Sequence, residues 1–240
     1  MEKKKKPNKE IVFRLYIALI IWSVIFFPLI FIPLKLQYRI FWPIFTKMFL
    51  YAVKVRVHNL SKIDINKYRG VIFASNHKTF ADTYFIMNFL RTPFTILYRK
   101  GIIKNLFIRF MFWRAGLIPI EKTDAILSIN AFKKIKKKLE NKFSIIFFPE
   151  GWYTTDRPVG EIKKGIALIA KETNCKVIPI AIYADKPDFL FEDKLEWKNF
   201  YINAGEPLSY SEFNDRDSFL NEIKVRIEKL YNEIEEHIKK

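Results

Sequence analysis

The stretch GVIFASNHKTFAD, residues 70–82, decides the fold more than any other part of the chain. It opens with an apolar run after a glycine, which is typical of a strand buried on both faces. His77 and Asp82 follow this strand directly, five positions apart. Because ligands of α/β proteins gather at the carboxyl ends of the strands, the stretch predicts both a fold class and the location of a site.

Apolar runs and helical periods alternate along the rest of the chain. Strands are predicted at 53–59, 70–75, 94–98, 117–120, 143–148, 176–183 and 198–205, and helices at about 81–90, 104–115, 124–140, 163–173 and from about 217 onward. This alternation predicts an α/β fold with a largely parallel central sheet flanked by helices. We expect residues 53–240 to form a single domain that ends in a long helix, because 240 residues suffice for one sizeable core but not comfortably for two.

Residues 1–52 differ from this domain. A basic tail precedes LYIALIIWSVIFFPLIFIPL, residues 15–34, which are 20 residues without a charge. About 20 helical residues can cross a hydrocarbon core of roughly 30 Å, so we expect membrane contact and a possible transmembrane helix. A second apolar stretch, 41–53, is interrupted by Pro43 and Lys47. The pattern favours a membrane-embedded helical hairpin that dips into one leaflet, with the domain on the cytoplasmic face of the cell membrane.

The charge distribution agrees with membrane contact. The chain carries a net charge of +17, yet residues 185–240 hold 9 basic and 14 acidic side chains, which leaves 33 basic and 11 acidic ones for residues 1–184. A segment that is basic, apolar and rich in aromatic residues, as residues 1–184 are, suits contact with anionic lipid headgroups. Nucleic acid would explain the charge but not the apolar content, so we expect no nucleic-acid partner. The only cysteine, Cys175, excludes a disulfide framework and a cysteine metal cluster.

The spacing of His77 and Asp82 suits acid–base chemistry. In a loop or a first helical turn, the carboxylate could orient the ring so that the other nitrogen removes a proton from a hydroxyl. With no Ser or Cys nucleophile beside the pair, a substrate hydroxyl would have to be the attacking group. A structural histidine and aspartate remains the alternative explanation of the pair taken alone.

Four blocks of the sequence resemble those of the glycerolipid acyltransferases, in the same order and with similar spacing. The block SNHKTFAD (75–82) resembles the family's N-H-x-x-x-x-D block, FFPEGW (147–152) its F-P-E-G block, AGLIPIEK (115–122) the block between them, and VIPIAI (177–182) the last block. The resemblance covers about residues 53–205. Within the family, the chain is most similar to the bacterial 1-acylglycerol-3-phosphate acyltransferase type.

The resemblance implies roles for individual residues. His77 would be the general base and Asp82 its orienting partner. Substrate-binding candidates are Asn76, Gly116, Lys122, Glu150, Gly151, Trp152, Tyr153, Arg157 and Pro179, the last of these beside the acyl pocket. The reaction would move a fatty acyl chain from acyl-coenzyme A or acyl carrier protein, as co-substrate, to a lysophospholipid hydroxyl. No metal and no bound cofactor would be required.

Two positions depart from the family pattern. Lys122 stands where the middle block usually ends in Arg, and lysine lacks the bidentate fork of arginine. Trp152 and Tyr153 stand where the F-P-E-G block usually continues with Thr or Ser and then Arg. Either Arg157, Lys163 or Lys164 supplies the missing cation, or the acceptor is another lysolipid, such as a lysophosphodiester, a lyso-aminolipid or a glycolipid.

Two further alternatives stay open on the sequence. The altered loop is compatible with a non-catalytic lipid-binding protein of the same fold, and the charge with a basic docking module at the membrane. The basic segment FKKIKKKLENK, residues 132–142, is either a solvated face or a docking surface for anionic lipid or for acidic acyl carrier protein.

Overall fold

The computed structural model describes residues 8–29, 34–101, 104–120, 128–187, 189 and 196–240. Within this part of the chain, one sheet of seven strands forms the centre of the molecule. The strands are β1 Val55–Asn59, β2 Ile72–Ser75, β3 Phe94–Arg99, β4 Ile118–Ile120, β5 Ser144–Phe147, β6 Val177–Ala184 and β7 Lys198–Ala204. Their order across the sheet is β1-β7-β6-β2-β5-β3-β4, and only the β6/β7 pair is antiparallel. The predicted α/β fold with a largely parallel sheet is confirmed.

The helices fall where the periodicity of the sequence predicts them, with ends that differ by a few residues. They are α1 Lys9–Leu29, α2 Leu34–Ala52, α3 Asp82–Met87, α4 Leu106–Arg114, α5 Ile129–Glu140, α6 Gly165–Thr173 and α7 Arg216–Lys239. Residues 124–127, predicted to open the fifth helix, lie outside the described residues. Ser128 caps α5 by accepting a hydrogen bond from the Ala131 amide, which explains why this helix begins at Ile129.

The helices cover both faces of the sheet. Alternate residues of each strand point to opposite faces, and in β2 Phe73 joins one apolar cluster whereas Ile72 and Ala74 join the other. The first cluster takes in residues of α1, α2 and α3, and the second takes in residues of α5, α6 and α7. Helix α4 lies on the first face, because Phe112 packs edge-on against Tyr98, 5.1 Å between ring centroids, on the same side of β3 as Phe94.

The predicted N-terminal hairpin corresponds to helices α1 and α2, which contact each other. Helix α2 is anchored to the domain by Tyr38, whose hydroxyl donates to the Ala115 carbonyl at 2.9 Å and whose ring packs on Phe94. Pro43 lies inside α2 without ending it. Whether the hairpin is embedded in a membrane stays a prediction.

The possible transmembrane helix is not found. In the described part of the chain, no helix combines the length and the apolarity needed to cross a bilayer. The apolar run 15–34 includes residues of both helices, since α1 ends at Leu29 and α2 begins at Leu34. Residues 30–33 lie outside the described residues.

Candidate active site

The site lies at the carboxyl ends of the central strands β2 and β5, which pair in parallel through Ala74 and Phe147. The loop after β2, residues 76–81, is called the His77 loop here, and the loop after β5, residues 148–164, the Glu150 loop. The two loops are joined by a backbone hydrogen bond from the Thr154 amide to the His77 carbonyl, 2.8 Å. Adjacent parallel strands therefore bring together two segments that are more than 70 residues apart in sequence.

His77 and Asp82 form a direct pair. The ring nitrogen Nδ1 of His77 lies 2.7 Å from Oδ2 of Asp82. Helix α3 begins at Asp82. The residues between His77 and Asp82 form a loop that turns the imidazole ring back onto the carboxylate. A carboxylate only accepts, so Nδ1 carries the hydrogen and Nε2 is left with its lone pair.

One oxygen of Asp82 holds both the ring and the loop. Besides the imidazole, Oδ2 accepts from the amides of Lys78 at 2.6 Å and Thr79 at 2.9 Å. The carboxyl is completely buried, and Oδ1 has no partner among the described residues. Burial raises the pKa of Asp82, whereas the hydrogen bonds from His77 and the two amides act in the opposite direction. The carboxylate is thus fixed in place by the same bonds that favour its charged form.

Two aromatic rings fix the plane of the imidazole. Phe148 stacks on His77 with a centroid distance of 4.1 Å and an interplanar angle of 15°, and Tyr153 meets it edge-on at 4.4 Å. Burial and the nearby Asp82 charge raise the pKa of Tyr153, so its hydroxyl stays protonated at neutral pH. Among the described residues Nε2 has no hydrogen-bond partner, which leaves it available to a substrate.

Glu150 connects the His77 loop and the Glu150 loop through hydrogen bonds. Its Oε1 accepts from the His77 amide and its Oε2 from the Gly160 amide, each at 2.7 Å, and the Thr154 side chain also bonds to it. Burial raises the pKa of Glu150, and these hydrogen bonds oppose the shift. Because each oxygen of this carboxylate accepts from an amide of one of the two loops, the geometry gives Glu150 a positioning role, and the predicted substrate contact stays untested.

Asn76 has a similar bracing position. Its side-chain amide donates to the carbonyls of Pro158 at 2.8 Å and Ile182 at 2.9 Å, and its oxygen accepts from the Ile182 amide at 2.7 Å. The residue is completely buried. It therefore ties the His77 loop to β6 and to the Glu150 loop, and its predicted substrate contact stays a prediction.

Lys78 is a buried cation that the sequence analysis missed. Its Nζ donates to the carbonyls of Thr154, at 2.8 Å, and Arg157, and lies 5.0 Å from the centroid of the Tyr231 ring. Burial lowers the pKa of Lys78, and the charges of Glu150 and Asp82 act against this shift. Its position next to the histidine was visible in the sequence, but the two accepting carbonyls belong to a loop about 76 residues away.

The remaining candidates of the Glu150 loop form the mouth of the site, defined here as residues 151–153 together with Arg99. Trp152 is 61% exposed and its ring lies 5.8 Å from the Arg99 guanidinium. Gly151 has φ +74°, and a Cβ added there would lie 3.1 Å from Nζ of Lys163. Arg99 is the last residue of β3, and Lys163 lies near the end of the Glu150 loop. Each therefore brings a cation to the mouth from outside the F-P-E-G block.

Other predicted positions lie elsewhere. The Arg157 side chain is exposed and pairs with Asp156 at 3.5 Å. Gly116, at φ +73°, follows the end of α4 and precedes β4, so it lies at the amino end of a parallel strand, the opposite edge of the sheet from His77. Its carbonyl accepts from Thr95 at 2.7 Å, and its predicted substrate contact stays a prediction.

Two candidates remain. Pro179 is buried in the middle of β6 beside Ala74, where its carbonyl accepts from the Gly205 amide at 3.0 Å. It therefore lies within the sheet, not at the mouth. Lys122 lies outside the described residues.

Arg99 could have been found by the rule that ligands gather at the carboxyl ends of strands, because the dipeptide Arg99-Lys100 follows the predicted strand 94–98. What the sequence could not provide was the neighbour of Arg99, since Trp152 comes from a different loop.

Comparison with known proteins places the chain in a family. A sequence profile of the acyltransferase family matches residues 54–183, more than half of the chain and all of both site loops. The chain belongs to the acyltransferase family. In an acyltransferase, a histidine fixed through Nδ1 with a free Nε2 is placed to remove a proton from an acyl acceptor.

Several relatives of this acyltransferase share part of its sequence. The chloroplastic 1-acyl-sn-glycerol-3-phosphate acyltransferase of Arabidopsis thaliana is 29% identical over 111 residues, which are 46% of this chain and 31% of the relative. That of Brassica napus is 28% identical over 111 residues, 46% of this chain and 32% of the relative. The chain thus spans about a third of the length of these plant relatives. The 1-acyl-sn-glycerol-3-phosphate acyltransferase of Streptococcus pneumoniae is 24% identical over 190 residues, 76% of this chain and 66% of the relative.

A solved structure shares the fold of this acyltransferase. The crystal structure of the 1-acyl-sn-glycerophosphate acyltransferase PlsC from Thermotoga maritima aligns with a TM-score of 0.67, over 95% of this chain and 96% of that chain. Because the two sequences are 18% identical, the likeness establishes the common fold and nothing finer.

Proposed function

We propose that this acyltransferase moves a fatty acyl chain from acyl-coenzyme A or acyl carrier protein to the hydroxyl of a lysophospholipid. The acceptor that the site supports best is 1-acylglycerol-3-phosphate, which would give phosphatidic acid. The observation that carries the proposal is the geometry of His77, with Nδ1 held by Asp82 at 2.7 Å and Nε2 unpartnered among the described residues.

In the proposed reaction, Nε2 of His77 accepts the proton of the lysolipid hydroxyl as its oxygen attacks the thioester carbonyl. The new C–O bond gives a tetrahedral intermediate, which collapses with cleavage of the C–S bond. The departing sulfur takes the proton back from the imidazolium, so the products are the ester and a thiol. Asp82 stabilises the transient imidazolium and keeps the ring in the required tautomer.

Two cations support a phosphomonoester acceptor. Arg99 and Lys163 reach the mouth from β3 and from the end of the Glu150 loop, and a phosphate group favours just such a pair of donors. In this proposal, Arg99 and Lys163 supply the cation that is missing at Trp152 and Tyr153. The names of the relatives point to the same acceptor.

We propose that the substrate is taken from a membrane, on its cytoplasmic face. Support comes from α1, whose outer side exposes a contiguous row of large apolar side chains: Val12, Phe13, Tyr16, Ile17, Ile20 and Ile21. On its inner side, Ile11 is buried in the first apolar cluster. A helix with one side in the protein and an apolar outer side suits the interface of a bilayer.

The acceptor is tested with purified full-length protein and a panel of lysolipids. Each is offered with isotope-labelled acyl-coenzyme A or acyl carrier protein, and the products are identified by mass. We expect labelled phosphatidic acid from 1-acylglycerol-3-phosphate, with less product from lysophosphodiesters, lyso-aminolipids and glycolipids. Preference for one of the other acceptors would reassign the substrate, and failure with every lysolipid would support the non-catalytic alternative.

A further inference from the structure

Helix α4 exposes an unusual amount of apolar surface. Its sequence, LFIRFMFWR, contains two arginines and no other polar residue. Leu106, Phe110 and Trp113, spaced by four and three residues, lie on one side of the helix and are 76%, 43% and 71% exposed. The opposite side is held against the sheet by Phe112, which packs on Tyr98. Among the described side chains of α4, Phe112 thus packs on the sheet, whereas the apolar side chains on the other side are exposed.

A helix that is apolar all round is normally buried, either in a core or in a membrane. A contiguous exposed apolar surface marks a place where something else binds. An occupant of the outer side of α4 is therefore expected.

The position of α4 indicates what the occupant is. Helix α4 covers the same face of the sheet as α1. A hydrogen bond from Tyr38 to Ala115 connects the residue after α4 to α2, the neighbour of α1. The exposed apolar side chains of α4 and those of α1 therefore belong to the same face of the molecule.

The charge around α4 matches an anionic lipid surface. Residues 99–120 contain five basic side chains and no acidic one. Among them Lys104 and Arg109 are exposed beside the apolar row. Basic residues that flank exposed apolar and tryptophan side chains are typical of protein segments that lie in the headgroup region of a bilayer.

We propose that the outer side of α4, formed by Leu106, Phe110 and Trp113, is a second membrane contact that acts together with α1. The inference rests on the proposed function in one respect, that the acceptor comes from a lipid bilayer. Helix α4 follows β3, whose last residue Arg99 lies against Trp152 in the mouth of the site. Contact through α4 would therefore bring the mouth close to the lipid surface from which the acceptor comes.

The test compares vesicle binding of three forms of the full-length protein. A double variant, Leu106→Ser with Trp113→Ser, removes two highly exposed side chains of α4. The matched control, Ile129→Ser with Leu168→Ser, removes two exposed side chains from α5 and α6, on the other face of the sheet. We expect partition onto vesicles of equal parts phosphatidylglycerol and phosphatidylcholine to fall about tenfold or more for the α4 variant, and to stay within twofold for the control.

A second readout uses tryptophan fluorescence, with vesicles of brominated phosphatidylcholine as quencher. Trp113→Phe should lose a large part of the quenching if Trp113 lies in the bilayer. Unchanged partition of the α4 variant, an equal loss in the control, or unchanged quenching in Trp113→Phe would overturn the proposal. So would a change of oligomeric state without a change in partition, which would assign the surface to a second copy of the chain.

Both readouts report binding and not acyl transfer. If the unaltered protein does not catalyse the proposed reaction, vesicle partition and quenching still test the α4 contact. If α4 does not contact the membrane, the proposed acceptor is unaffected.

Discussion

At the scale of single residues, the site depends on a few atoms that each make several bonds. Oδ2 of Asp82 accepts from the His77 ring and from two amides of the same loop, and the carboxylate of Glu150 accepts from the backbone of both site loops. The geometry of the base is thus set by buried carboxylates whose loss would release ring and backbone together. The residues of the mouth, in contrast, are exposed or partly exposed.

Removing the cations at the mouth tests the acceptor assignment. Arg99→Ala and Lys163→Ala should each raise the KM for 1-acylglycerol-3-phosphate by about tenfold, since a charged hydrogen bond contributes about 1.5–3 kcal/mol. The value of kcat should change less, because neither residue contacts the base. Steady-state kinetics with a neutral lysolipid as second substrate shows whether the effect requires the phosphate.

Arg157→Ala is the matched control for this experiment. The Arg157 side chain is exposed and already paired with Asp156. We therefore expect the KM of this variant for 1-acylglycerol-3-phosphate to stay within about twofold of that of the unaltered protein. A large effect of Arg157→Ala together with none of Arg99→Ala would contradict the assignment of the cations.

At the scale of the elements, the Glu150 loop is packed so closely around Gly160 that a larger side chain does not fit there. A Cβ at Gly160 would lie 2.6 Å from Oγ1 of Thr154 and 2.7 Å from Oε2 of Glu150. Both distances are shorter than any normal contact, so Glu150 would have to move and release the His77 amide. The conformation of the histidine loop therefore depends on a glycine 83 residues further along the chain.

Gly160→Ala should lower the free energy of unfolding by about 1–3 kcal/mol, the cost of leaving buried polar groups unsatisfied, and should also lower kcat. The control is Gly101→Ala, because no described atom lies within 4 Å of a Cβ placed there, although its φ of +93° adds backbone strain. Urea unfolding and kcat are measured for both variants. If the two alanine variants have the same kcat, the brace through Glu150 is not needed for the chemistry.

The elements themselves could be predicted from the sequence, because buried strands are short apolar runs and the helices show a period of three to four residues. What could not be predicted are contacts between loops distant in sequence, such as His77 with Glu150. The family blocks pointed to His77 and Asp82, which the structure brings together, and to Gly116, which lies at the amino end of β4 with a positive φ. The apolar stretches 15–34 and 41–53 favoured a helical hairpin, and helices α1 and α2 correspond to it.

At the scale of the whole molecule, the two faces of the sheet have different characters. Helices α1 and α4 expose apolar side chains on one face, whereas α5, with exposed Lys133, Lys134, Lys136 and Lys137, lies on the other. A flat bilayer in contact with α1 and α4 cannot reach α5 at the same time. Of the alternatives for the basic segment, a solvated face and a docking surface for acidic acyl carrier protein then stay open.

Membrane binding should depend on salt, because 33 basic and 11 acidic side chains fall in residues 1–184. Raising the ionic strength from about 0.1 to 1 M shortens the Debye length from about 10 to 3 Å. We expect partition onto phosphatidylglycerol vesicles to fall several-fold, with a residual part from apolar contact, and partition onto pure phosphatidylcholine to change little. Binding to anionic vesicles that is indifferent to salt would rule out an electrostatic contribution.

The central claim is that Nε2 of His77 removes the proton of a lipid hydroxyl and that Asp82 holds the ring for it. The most direct measurement is the rate of labelled acyl transfer to 1-acylglycerol-3-phosphate by His77→Ala and Asp82→Asn, with Asp156→Asn as an exposed control. We predict a loss of at least about 100-fold in kcat for both site variants, with vesicle binding and secondary structure retained and the control unchanged. Turnover by folded His77→Ala at the rate of the unaltered protein would contradict the account.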